Sequence, residues 1–312
     1  MVKLFRFLII LVIVILSVHC GQGEAFACFG GRPMAMGGAF SGLADDVHAV
    51  YWNPAGLGQI KEKQAAYAGA FPGSRDNYNH DDFLAFVFPL ANKEDDFGTL
   101  GIWFANSGFK KPTFKETELW YALSYGKQVN ENLFLGISGK YETYSKKNAI
   151  GTDSDSLGTI SLGFLYKIDK LSFGVFIQDM NKAARQVFNQ TYRHVVNVRP
   201  GIGYQLSDKT LLTLDMYDAA GGTKKYNPDI SQDLRFGIEH WVKENIAIRA
   251  GGYHLNSASE GMKAITGGFG YKPSNGMFSQ KDVSFDYAVM YWTDPPSGTG
   301  HYTHQAGIVV KF

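Results

Sequence analysis

The stretch "VSFDYAVMYW", residues 283–292, alternates without a break. Val283, Phe285, Tyr287, Val289 and Tyr291 fall on one face, and Ser284, Asp286, Ala288 and Met290 fall on the other. A period of two is the mark of a β-strand with one apolar face. The same pattern recurs outward from it in both directions. Leu212, Leu214 and Met216 alternate with Thr213, Asp215 and Tyr217. Leu234, Phe236 and Ile238 alternate with Arg235, Gly237 and Glu239. Ile160, Leu162, Phe164 and Tyr166 alternate with Ser161, Gly163, Leu165 and Lys167.

Fourteen such runs follow one another, at 64–71, 82–90, 98–105, 118–126, 133–144, 157–167, 171–179, 197–206, 210–219, 232–241, 245–254, 263–272, 283–292 and 303–312. Their connections alternate in length. Those at 92–97, 127–132, 168–170, 207–209 and 242–244 are short, while 72–81, 106–117, 145–156, 180–196, 220–231 and 293–302 are long and polar. The segment 273–282 is too long for its place, and 255–262 is moderate. An even strand count with short turns at one end and long loops at the other predicts a transmembrane antiparallel β-barrel of about 14 strands. A soluble sandwich has no reason to keep that parity. The chain closes on Tyr302, Ala306, Ile308, Val310 and Phe312, all on one face. A terminal aromatic on an alternating strand resembles the signal read by the barrel-assembly machinery. Pro200 falls inside a run and cannot donate to a ladder, so a bulge there, or a strand beginning just after it, is expected.

Composition agrees with this class. The chain has 36 Gly, 23 Phe and 17 Tyr. Beyond Val18 no apolar run approaches the ~20 residues of a membrane helix. At the N-terminus, Lys3 and Arg6 precede the apolar run Phe7–Leu16, and Ala25-Phe26-Ala27 offers a small-x-small cleavage site. Residues 1–27 are therefore expected to be a signal peptide. Its removal takes away Lys3, Arg6 and Glu24 and leaves basic and acidic residues equal in number. A neutral chain has no basic stripe, so nucleic acid is not an expected partner. The two cysteines, Cys20 and Cys28, allow no disulfide framework after cleavage, and lipidation of either lacks the usual preceding leucine.

If the lipid-facing side is apolar, the other faces the lumen. It then carries Lys140, Glu142, Lys167, Arg199, Asp215, Arg235, Glu239, Arg249, Asp286 and Lys311. A pairing network among Arg199, Asp215, Arg235, Glu239, Arg249 and Asp286 that ties strands together is expected in preference to ion selectivity. The first four strands instead turn Phe83, Ala85, Val87, Trp103 and Trp120 inward. An apolar wall of Phe83, Val87, Trp103 and Trp120 calls for a plug or a hydrophobic ligand against it.

Residues 30–59 do not alternate. Asp45 or Asp46 could cap a short helix, Pro54 would end it, and Gly37-Gly38 permits sharp bends. The segment 28–62 is expected to sit before the barrel (63–312), in its interior or at its periplasmic mouth. "RPMAMGGAFSGLADDVHAVYWNPAGL" resembles the N-terminal signature of the FadL-like outer-membrane barrels, and most closely that of the PorV/PorQ branch. The match lies in Arg32-Pro33, Met36-Gly37-Gly38-Ala39-Phe40, Ala44-Asp45-Asp46 and Tyr51-Trp52-Asn53-Pro54-Ala55-Gly56-Leu57. The rest of the chain matches in architecture only.

The resemblance implies a luminal plug built on Asn53, Pro54, Ala55 and Gly56, and passage of small hydrophobic compounds across the outer membrane through a lateral opening in the wall. The other branch implies a secretion-system component that binds exported protein cargo at the cell surface. The chain is short for either, so a broad external docking surface is not expected. Integral placement in a bacterial outer membrane, among its lipids and with both termini periplasmic, follows from the same likeness. No cofactor and no metal are expected. His80, His254, His301 and His304 have no metal-type spacing, and no serine sits in a nucleophile motif, so an enzyme is not expected.

Overall fold

The computed structural model describes residues 29–72, 78–90, 96–222, 232–253, 263–273, 283–294 and 299–312. The expected signal peptide with Cys20 and Cys28, His254, the segment 255–262, and most of the expected loops at 220–231 and 273–282 lie outside the described residues, as do the side chains of His80 and His301.

Among the described residues sixteen strands form. They are β1 (Gln64–Pro72), β2 (Tyr78–Pro89), β3 (Thr99–Lys111), β4 (Phe114–Gln128), β5 (Leu133–Asn148), β6 (Gly151–Ile168), β7 (Leu171–Gln178), β8 (Ala184–Val187), β9 (Gln190–Arg193), β10 (Asn197–Ser207), β11 (Thr210–Tyr217), β12 (Asp233–Lys243), β13 (Ile246–Tyr253), β14 (Lys263–Tyr271), β15 (Val283–Asp294) and β16 (Thr299–Lys311). Fourteen of them close one antiparallel barrel, and β8–β9 is a separate hairpin. Closure is made by β1, whose Tyr67 lies opposite Leu84 of β2 and Ile308 of β16. This is the transmembrane architecture that alternation predicts: each of the fourteen strands pairs with a neighbour on both sides, so the closed sheet has no free edge strand. Ile102, Leu123, Ile137, Ile160, Leu214, Phe236 and Ile248 are exposed on the outer face.

One rim holds the start of β1 and the short turns at 129–132, 169–170, 208–209 and 244–245. At the opposite rim the long polar loops expected at 106–117 and 145–156 are corrected. Both are strand, folded into hairpins that turn at 112–113 and 149–150. A tilted strand crosses a bilayer in ~9–11 residues, whereas β5 and β6 have 16 and 18. Beyond the bilayer neither face meets lipid, so stretches such as Thr152–Asp155 keep their pairing without an apolar face. This end is called the tall rim below.

The bulge expected at Pro200 is also corrected. β10 runs through Pro200 in register, opposite Val175 of β7, and its irregularity lies instead at Gln205/Ser207. The oxygen of Val198 accepts from the N–H of Ala219, so Val198 and Pro200, two residues on, point to the β11 side. The β10–β11 ladder stops at Gly201–Asp215. The missing N–H of Pro200 therefore falls where no partner waits.

Ahead of β1 the chain forms α1 (Gly31–Ala35), α2 (Ala49–Trp52) and a 3₁₀ turn (Pro54–Gln59). Phe40, Met36, Val47, Leu57 and Trp52 are fully buried, and with Phe83, Ala85, Val87 and Trp103 of the wall they form the main apolar core. Segment and inner wall therefore share one core. Gly37 and Gly38 take φ of 65° and 67°, the left-handed region where glycine is at home. The cap differs from expectation. His48, not an aspartate, occupies the N-cap of α2, and the Asp46 carboxylate accepts from the His48 N–H (2.9 Å). The preceding Ala44 has φ 37°, which turns the chain before the helix begins.

Candidate functional site

The site is built where segment 29–60 meets the inner faces of the strands. Asn53 is extended and joins α2 to the 3₁₀ turn. Its Oδ1 accepts from Ala55 N–H (3.1 Å), and its Nδ2 donates to Ser41 O (2.8 Å) and Phe164 O (3.1 Å). One fully buried amide thus ties two parts of the segment to β6. Pro54 opens the 3₁₀ turn, where a missing N–H costs nothing. At Gly56 a Cβ would strike Ala44. Replacing Asn53 by Ala removes three hydrogen bonds, two of them buried at Ser41 and Ala55, where an unmet group costs about 1–3 kcal/mol. The variant is expected to lower the urea midpoint of folded barrel, read as loss of heat-modifiable mobility on a gel.

The wall answers the segment with glycines that alternation alone did not single out. Gly136 lies opposite Gly163, Gly174 opposite Gly201, and Gly237 opposite Gly251. Each pair faces one bend of the segment: Pro54–Ala55, Ser41–Gly42 and Met36–Gly37 respectively. A Cβ on Gly251 would stand 2.5 Å from the Gly37 nitrogen, and one on Gly237 would stand 2.5 Å from the Met36 oxygen. At each of these pairs the backbone of the segment meets the backbone of the wall. The available signal was parity, since all six occupy inward positions of their strands.

Charge surrounds the seat. Arg32 bridges Glu239 (2.9 Å), Asp45 (2.6 Å) and Asp46 (2.8 Å). Burial works against its charge, but the three carboxylates outweigh burial and hold Arg32 well above its ordinary range. Asp46 is held below the usual carboxylate range, because His48 and Arg32 outweigh burial. Arg249 joins Glu239 (2.6 Å) to Asp286 (2.7 Å), and Arg235 pairs with Asp233 (2.8 Å). Two of the expected network members sit differently. Asp215 accepts from the Ser41 N–H (2.6 Å). Arg199 contacts Gln178 and Asn197 and stacks on Tyr217 at 3.9 Å. Lys167 reaches Gln59 (2.7 Å), and Lys311 is exposed at the rim. The network therefore fastens the segment as well as neighbouring strands.

The inward aromatics of β2–β4 meet aromatics of the segment. Phe29 stacks on Phe83 (5.3 Å) and meets Trp120 edge-on (5.7 Å), while Tyr51 meets Trp103 edge-on (5.7 Å). Val87 is fully buried in the same cluster. The indole nitrogens of Trp103 and Trp120 are buried without a hydrogen-bond partner. On the outer face nearby, Gly139 and Gly158 leave a depression of about 810 Å³. Lipid-facing Ile102 and Tyr121 and luminal Trp103 and Lys140 all border it.

No protein-family model matches the chain, and no curated protein matches it. Solved structures do. The toluene transporter TbuX of Ralstonia pickettii is 15% identical with a TM-score of 0.70, over 92% of this chain and 99% of that one. The monoaromatic hydrocarbon channel CymD is 13% identical with a TM-score of 0.67, over 93% and 99%. A FadL homologue of Pseudomonas aeruginosa is 12% identical with a TM-score of 0.59, over 94% and 98%. At these identities the likeness establishes the FadL-type barrel fold over nearly the whole chain.

Proposed function

We propose that this protein is an integral outer-membrane channel for small hydrophobic compounds, with segment 29–60 as its luminal plug. The observation that carries this is the aromatic compartment. Phe83, Trp103 and Trp120 of the wall face Phe29 and Tyr51 of the segment, in a fold shared with toluene and hydrocarbon channels. An apolar, aromatic compartment inside a barrel favours an apolar passenger. The depression at Gly139 and Gly158 is the proposed lateral exit, because luminal and lipid-facing side chains border one space there.

In this arrangement the tall rim faces outward and both termini are periplasmic. The PorV/PorQ affinity rests on the N-terminal motif alone, and no described feature favours binding of secreted cargo.

Solvent extraction and mass spectrometry of folded protein, taken from outer membrane into mild detergent, tests this. A lipophilic compound enriched over an unrelated barrel of equal size is expected. An empty barrel that also shows no saturable binding of monoaromatic compounds would count against the proposal.

A further inference from the structure

The hairpin β8–β9 takes no part in the barrel wall. It is closed at its base by the N–H of His194 donating to Ala183 O (2.9 Å). From there it folds to the luminal side of the tall strands. Asp153 and Asp155 of β6 accept from the backbone N–H groups of Phe188 (2.6 Å) and Gln186 (2.7 Å). Val187 is buried. Arg185, also buried, reaches past β6 to Glu142 of β5 and to Glu118 of β4 (2.7 Å), and lies 4.0 Å over the ring of Tyr144. His194 directs Nδ1 at Asp179 (3.0 Å) and Nε2 at Glu142 (3.3 Å). Both ring nitrogens face carboxylates, and only an imidazolium can donate to both. One register position below, Glu142 lies opposite Trp120, so this ionic cluster stands directly over the aromatic compartment.

We propose that the hairpin Ala184–Arg193 is a hinged lid over the tall-rim mouth, latched by Arg185 and His194 to the wall carboxylates Glu118, Glu142 and Asp179. Side chains rather than a β-ladder hold it, so it can swing without opening the barrel. His194 faces Asp179 from the β7 loop and Glu142 from β5, and the cluster around these two carboxylates adds Lys140 and Tyr144 from β5, Glu118 from β4, and Arg185 and Tyr192 from the hairpin itself. Lys140 lies within ion-pair distance of Glu142 (3.2 Å) and Asp179 (3.7 Å), so with His194 charged three cations meet three carboxylates. Withdrawing Arg185 and His194 leaves Lys140 alone against three carboxylates. That imbalance, with the loss of the bonds to Asp153 and Asp155, sets the cost of opening.

The pH dependence has a definite sign. Burial disfavours the charged His194, but Asp179 and Glu142 outweigh it and push its pKa up to about 9. The latch is complete below the free imidazole value of ~6.5 and is lost as pH rises through about 9. The inference depends on the channel proposal only for what passes beneath the lid. The test is therefore a distance, not a flux.

Nitroxide labels at Gln190→Cys on the hairpin and Lys115→Cys on β4, in an otherwise cysteine-free folded barrel, report the gap by pulsed EPR. A single closed distance is expected at pH 7. A longer distance should grow by at least about tenfold in population at pH 9.5. His194→Gln should show the longer distance at pH 7 and lose the pH response, and Arg185→Gln should open it further. Heat-modifiable mobility confirms that each variant is folded. The same closed distance in the native chain at both pH values, or in folded His194→Gln at pH 7, would overturn the lid.

Discussion

A barrel with valine in place of both Gly136 and Gly163 is expected to conduct ions, whereas the native chain in the same planar bilayer is expected to be nearly silent. The two glycines lie opposite one another on β5 and β6, and Pro54 and Ala55 rest on them. A Cβ at Gly163 would enter the space of the Asn53 side chain and the Ala55 nitrogen, and one at Gly136 would meet Pro54 and Ala55. Both would meet the Ala55 backbone nitrogen, an atom that no side-chain rotation can move away. Overpacking of this kind costs about 1–3 kcal/mol per site. The barrel ladder need not change, because both valines lie on inward faces. The segment should therefore yield first and leave a wetted lumen. If the folded double variant is as silent as the native chain and no less stable, the proposed plug is not seated on these glycines.

Replacing Arg249 by Ala is expected to cost about 3–5 kcal/mol, a larger loss than removal of any surface charge. Arg249 is almost wholly buried between Glu239 and Asp286. Its loss leaves Asp286 without that cation and leaves Glu239 dependent on Arg32 alone. The cost arises from an uncompensated buried carboxylate, not from the worth of the pair itself. A triple variant, Arg249→Met with Glu239→Gln and Asp286→Asn, should recover most of the stability, since it removes the charges together. Urea titrations followed by heat-modifiable mobility would check both variants. Equal losses in the single and triple variants would mean that packing, not charge, holds this corner.

The barrel was legible because its strands obey two different solvents. Wherever a strand crosses the bilayer, as at Ile160–Tyr166, an apolar residue meets lipid at every second position, and the period of two is plain. Where β5 and β6 rise beyond the bilayer, both faces meet water, and the same ladder reads as a polar loop. Pro200 misled for a related reason. Alternation says which residues share a face, but not where a neighbouring ladder stops. The hairpin β8–β9 is too short to show a period at all.

The candidate site divides in the same manner. Phe83, Trp103 and Trp120 were visible as apolar side chains on a face that should have been polar. Asn53 and Pro54 were visible through the motif around them. The seat of glycine pairs was not, because a glycine on an inward face looks the same whether it meets water or a backbone. Its meaning depends on cross-strand register, as with Gly174 opposite Gly201, and on what lies across the lumen. Arg32, which ties the segment to Glu239, stands out in the sequence only as part of a motif, since its partner lies far away along the chain.

The most direct test of the account is uptake of a radiolabelled monoaromatic hydrocarbon by cells whose own hydrophobic-compound channels have been deleted. The native chain and the Asn53→Ala, Pro54→Ala variant would be compared at equal amounts of folded barrel in the outer membrane. The account predicts saturable uptake above the empty-vector background for the native chain and an altered rate for the variant. Uptake at background for a correctly assembled native barrel would contradict it.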